Sequence, residues 1–92
     1  MPYFVTHFTV DNFDVFCRAF ADGASARKAN GSRGARLFRS ERHPYEVIAF
    51  FEWEDLEKSR QFLQSPELRE LLKLVGVLSQ PERYEEGGAF PA

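Results

Sequence analysis

Between Tyr3 and Val10 the run YFVTHFTV is dense in β-branched and aromatic side chains and stops at Asp11 and Asn12, the pattern of a strand closed by a turn. There the period lengthens. Phe13, Phe16, Cys17, Phe20 and Ala24 recur at helical spacing behind a cap from Asp11 or Asn12, and predict a helix running to the neighbourhood of Ala29, before Asn30 and Gly31. RGARLFRS predicts a short strand, ERHP a turn in which Pro44 disfavours helix through His43, and YEVIAFFEW a strong strand, so the two strands pair as a hairpin. Asp55 opens a second helical stretch carrying Leu56, Phe62 and Leu63. Ser65 followed by Pro66 predicts a fresh N-cap, and Leu68, Leu71, Leu72 and Val75 continue the stripe to a stop at Gly76. PERYEE predicts a weak last strand with Tyr84 as its apolar anchor, and GGAFPA a loose tail.

The order is βαββαβ, which defines an α+β, ferredoxin-like fold: a four-stranded antiparallel sheet with the helices on one face. One domain over residues 1–86 and a tail over 87–92 are expected. The strand YEVIAFFEW raises a difficulty, because Val47, Ala49, Phe51 and Trp53 share one face while Ile48 and Phe50 share the other. Helices cover only one of these apolar faces. Burial of a large apolar side chain is worth roughly 1.5–3 kcal/mol, so the uncovered face calls for a second copy of the chain. The expectation placed Phe51 and Trp53 on that uncovered, partner-facing side, with Glu52 towards the helices.

Composition narrows the function classes. A chain of 92 residues holds one core, and 43% hydrophobic with 28% charged residues is ordinary for a folded soluble protein. A formal charge of -2 argues against non-specific nucleic-acid binding. RLFRSERH and YFVTHF also lack the aromatic motifs of an RNA-recognition sheet. Cys17 is the single cysteine, so no intrachain disulfide or thiolate metal set forms, which fits a cytoplasmic setting. The amino terminus carries no targeting pattern, and no apolar run approaches the roughly 18 residues of a membrane span.

Few side chains offer chemistry. His7 lies mid-strand, where a neutral imidazole is a candidate proton carrier near neutral pH; a hydrogen-bonded structural role is the commoner one. Trp53 and Phe51 are suited to stacking an aromatic ligand or to packing an interface. Arg27, Lys28, Arg33, Arg36, Arg39 and Arg42 stand against a single acid, Glu41, either to receive an anionic group or to protect an edge strand, and Arg36 is the ligand-binding candidate among them. Cys17, on an apolar stripe, reads as a buried and unreactive thiol. Glu54, Asp55 and Glu57 suit the positive end of a helix better than a metal ion, and two separated histidines make a poor metal site.

The segment RLFRSERHPYEVIAFFEWEDLEKSRQFLQSPELRELLKLVGV resembles the dimeric α/β-barrel superfamily, and within it the small proteins related to antibiotic-biosynthesis monooxygenases. The Pro44 turn, the Glu52–Trp53 pair, Asp55 and Leu56, the Ser65–Pro66 helix start and Gly76–Val77 carry it, and the likeness spans residues 3–86. The resemblance implies a homodimer joined sheet to sheet and a small apolar, aromatic-lined cavity. It implies action without cofactor or metal on a small aromatic or polyketide-like molecule, by oxygenation or cyclisation, with no nucleic acid or membrane as partner. Trp53, Phe51, Arg36 and Phe62 would then bind the ligand and His7 would move a proton. The alternative is a non-catalytic ligand-binding or stress-related dimer whose cavity is nearly filled by phenylalanine. Each known activity of such proteins meets a departure here. Ala49 stands where quinone-forming members have Asn, Phe62 and Glu67 lie where others place histidines, and His7 and Leu63 lie near positions that haem-degrading members give to Asn and His.

Overall fold

The computed structural model describes residues 2–92. Strand β1 (Tyr3–Thr9) leads into α1 (Phe13–Asp22) and α2 (Ala24–Ala29), then β2 (Ser32–Arg39), β3 (Glu46–Trp53), α3 (Leu56–Leu63), α4 (Pro66–Leu74) and β4 (Glu82–Glu85). The expected βαββαβ order is present, with each helical stretch divided in two. Asn12 caps α1 by accepting the Val15 amide, Asp55 caps α3 through the Glu57 amide at 2.8 Å, and Ser65 caps α4 ahead of Pro66. Gly76 follows α4 at φ +86°, a backbone that L side chains rarely adopt. The first helical stretch was expected to be continuous. It breaks at Gly23, whose amide donates back to the Ala19 carbonyl, and α2 follows as a separate short helix.

The sheet runs β2-β3-β1-β4, all pairs antiparallel, so β2 is an edge strand as its arginines suggest. Phe4 lies opposite Phe51 and Phe8 opposite Val47, and these side chains share the helix face. The core consists of Phe4, Phe8, Val47, Ala49, Phe51 and Trp53 from the sheet with Phe16 of α1, and Phe20, Phe62, Leu63 and Leu72 pack onto it.

The face assignment read from the sequence is therefore reversed. Phe51 and Trp53 point at the helices, and Trp53 is 0% exposed. Ile48, Phe50 and Glu52 point away from them. Strand parity states which side chains share a face, but not which face the helices take. The ends of β3 settle it: Ile48 and Phe50 are bracketed by Glu46 and Glu52, whereas Val47 to Trp53 is apolar throughout. Covering the second set leaves both carboxylates at the water, and burying the first set would strand them.

The last strand also holds differently from the expectation. Tyr84 lies on the open face and is 46% exposed, so it does not anchor β4 to the core. Arg83 does so, its guanidinium 3.8 Å from the centre of the Phe4 ring and its Nη2 donating to Ser59 Oγ at 2.9 Å. Burial, ahead of the neighbouring Arg60 charge, lowers the Arg83 pKa, and Glu85 opposes that shift. Glu85 in turn accepts from Arg60 at 2.5 Å, and its carboxyl is held below the ordinary value of 4.5, first by that hydrogen bond and then by the Arg60 charge. A carboxylate with a depressed folded pKa stabilises the fold above its unfolded value and loses that contribution as pH falls through the folded one. The amides of β4 are therefore expected to lose hydrogen-exchange protection below pH 4.5, before those of β1 and β3 and after correction for intrinsic rates. Equal loss across the three strands would contradict this.

Candidate functional site

Between the sheet and the helices lies an apolar cavity of about 110 Å³. Thr6 and Phe8 of β1 and Phe51 of β3 form its floor, Phe16 and Phe20 of α1 one wall, and Phe62, Leu63 and Leu72 another. Its lining contains only two polar side chains, Thr6 and Arg27. Thr6 is 3% exposed. Arg27 projects from α2. Its Nη1 donates to the Phe20 carbonyl at 2.7 Å, and its Cζ stands 3.7 Å from the centre of the Phe20 ring. Gly23 makes room for it, since a Cβ there would come within 3.1 Å of the same Nη1. Burial lowers the Arg27 pKa.

The residues singled out in the sequence divide between the two sides of the sheet. Phe51 and Phe62 line the cavity. Trp53 stands behind them, its ring centre 5.9 Å from Phe51 and 5.6 Å from Phe62, with its indole N–H donating to the Asn30 carbonyl at 2.9 Å. It sets the positions of both lining rings without lining the cavity itself. His7 and Arg36 lie on the far face, where His7 pairs across to Ile48 and Arg36 to Phe50. The sequence offered His7 no evident orienting carboxylate, but the fold brings Glu46 Oε2 to 3.5 Å from its Nε2. The sheet thus separates the imidazole from the cavity.

Other candidates have structural roles. Glu54 bonds Arg33 at 2.6 Å and Lys58 at 3.1 Å, and Lys58 first and Arg33 second hold its carboxyl low. Cys17 is half-buried, and burial, followed by the Asp14 charge, raises its pKa, which disfavours the thiolate. Among the described residues no cluster of three His, Cys, Asp or Glu is placed to hold a metal ion, and no helix is long and apolar enough to cross a membrane. Arg27 was visible in the sequence only as one of a run of basic residues. Its position over Phe20 comes from the break at Gly23 between α1 and α2, which the local sequence marks only by that glycine.

The four-stranded antiparallel sheet with its paired helices is the ferredoxin-like fold of antibiotic-biosynthesis-monooxygenase proteins. Among solved structures the chain is similar to a candidate antibiotic biosynthesis monooxygenase of Bordetella bronchiseptica, with TM-score 0.74, 21% identity, and 98% of this chain and 100% of that one covered. It is also similar to SnoaB, a cofactor-independent oxygenase from Streptomyces nogalater, with TM-score 0.71, 20% identity and 98% and 96% coverage. A third is Rv0793 of Mycobacterium tuberculosis, with TM-score 0.61, 17% identity and 100% and 99% coverage. Likeness at such identities establishes the fold. Neither a family model nor a curated protein matches the chain.

Proposed function

We propose that this chain is a homodimer that binds a small phenolic ring in the cavity between sheet and helices and oxygenates it without a cofactor, the phenol supplying both electrons so that one O2 gives a quinone and water. The cavity itself carries the reading: a lining of aromatic and aliphatic side chains interrupted by one hydroxyl and one guanidinium is the composition of a small-molecule site. The fold shared with SnoaB supports oxygenation as the reaction. In this reading Phe51 and Phe62 hold the ring, and Trp53 holds those two in place. Ala19, which also lines the cavity, gives the test. Ala19→Leu fills the space with apolar atoms and is expected to abolish binding of single-ring phenols, and any oxygen uptake they support, while the protein stays folded. Unchanged binding by Ala19→Leu would overturn the reading.

A second reading, a binding protein without turnover, is favoured by one observation. The imidazole that was the candidate proton carrier lies across the sheet from the cavity. Ligand binding with no oxygen uptake would select it.

The dimer rests on the open sheet face. Phe38 and Ile48 are 52% and 43% exposed, and Val5, Phe50, Tyr84 and Tyr3 extend the same surface. So large an apolar face calls for cover, and its rim supplies both charge signs, Arg36 against Glu46, Glu52 and Glu82. His7 and Arg36 are then interface residues. Light scattering is expected to give twice the 10.6 kDa of one chain, and Ile48→Arg to return the single-chain mass with the far-ultraviolet spectrum unchanged. A wild-type protein of single-chain mass would contradict it.

A further inference from the structure

The cavity's size and its one cation restrict what it takes. An engineered apolar cavity of about 150 Å³ holds one benzene molecule. At about 110 Å³ this one is no larger, which suits a single ring better than a fused pair.

The charge pattern is equally selective. Arg27 is half-buried, and among the described residues no carboxylate lies within ion-pair distance of it. Arg83, which is also partly buried, has Glu85 at 3.5 Å and Ser59 at 2.9 Å, and its Nε and Nη1 are buried without a hydrogen-bond partner. Arg27 has the Phe20 carbonyl and the Phe20 ring only. No nitrogen of Arg27 is buried without a partner, so the N–H groups that Phe20 does not engage are open to an arriving anion, which a guanidinium binds through charge-assisted hydrogen bonds.

Phe20 and Arg27 line a second space as well, a surface groove continuing past Lys28, Ser32 and Arg33 to Ala35. The groove contains three basic side chains and no acid, although Arg33 is already engaged by Glu54. Arg27 therefore stands between a positively charged approach and an apolar chamber. Such an approach raises the local concentration of anions.

We infer that the ligand is a single-ring aromatic carrying one acidic oxygen, a carboxylate or phenolate, with its ring between Phe51, Phe62 and Phe20 and its acidic group on the Arg27 guanidinium at the cavity mouth. This deepens the proposed function and rests on the cavity being a ligand site. Arg27 is the residue that determines specificity, and Gly23 keeps open the space in which its fork turns.

The test is calorimetric titration of the full chain with benzoate, benzyl alcohol and 2-naphthoate. Wild-type protein is expected to bind benzoate about tenfold or more tightly than benzyl alcohol, which has the same ring and no charge. The wider 2-naphthoate is expected to bind more weakly than benzoate. Arg27→Gln is expected to lower benzoate affinity far more than that of benzyl alcohol and so remove the preference, and Arg27→Lys to restore part of it. Equal affinities in the wild type, or a preference that survives Arg27→Gln, would overturn the charge assignment while leaving the cavity a ligand site. Tighter binding of 2-naphthoate would overturn the size assignment. No binding by any probe would remove the cavity reading and this inference with it.

Discussion

Trp53→Ala is expected to cost about 3–5 kcal/mol of folding stability, read as a lowered urea midpoint at unchanged slope. The indole is 0% exposed, packs against Phe4, Phe51 and Phe62, and satisfies the Asn30 carbonyl at the turn into β2. Its removal opens a void that the four-stranded sheet cannot close, and it leaves that carbonyl to water. Domains of this kind have about 5–15 kcal/mol in total, so the variant should still fold at low temperature. A loss below about 1 kcal/mol would mean that Trp53 is not the keystone of the core.

Gly31→Ala is the second large effect, expected at about 1–3 kcal/mol from backbone strain alone, with a further clash above that. Gly31 has φ +110°, and a Cβ there would lie 2.9 Å from the Trp53 indole nitrogen and 3.1 Å from Glu54 Cγ. The Gly31 carbonyl also accepts the Glu54 amide at 2.9 Å, so the residue ties the start of β2 to the end of β3. The two substitutions should be non-additive. In a Trp53→Ala background the clash with the indole disappears and only that with Glu54 Cγ remains, so the combined loss should fall short of the sum by about 0.5 kcal/mol or more. Strict additivity would show that the indole does not press on Gly31.

Both effects concern features that were partly legible in the sequence. Asn12, Asp55, Ser65 with Pro66, and Gly76 mark helix ends by chemistry that acts within one turn, and all four stand where that chemistry places them. The division of the first helical stretch was hidden, because a lone glycine such as Gly23 is tolerated inside helices and does not by itself mark a break. The orientation of the sheet was legible in β3 itself. Alternation in β3 grouped Phe51 with Trp53 correctly; the face follows from Glu46 and Glu52 at the ends of the other set, and the pairing of Phe4 and Phe8 with Phe51 and Val47 reinforces it. With that pairing the helix side holds six large or buried apolar positions, and the open side alternates apolar residues with Glu46, Glu52 and His7. His7 and Arg36 lie away from the cavity for a separate reason, since pairing with Ile48 and Phe50 sets them on the face opposite Phe51 whichever side the helices take. Arg27 was hidden among basic residues because its role comes from a position over Phe20 that local sequence only hints at.

The central claim is that the ligand site lies between the sheet and the helices rather than on the open sheet face. Two-dimensional NMR of the labelled protein, titrated with benzyl alcohol, tests it most directly, because the uncharged probe does not depend on Arg27. The account predicts saturable shifts at Thr6, Phe8, Phe51, Leu63 and Leu72, with Val5, Ile48 and Phe50 unmoved. Shifts confined to Val5, Ile48 and Phe50 would contradict it, and place the site on the surface assigned here to the partner subunit.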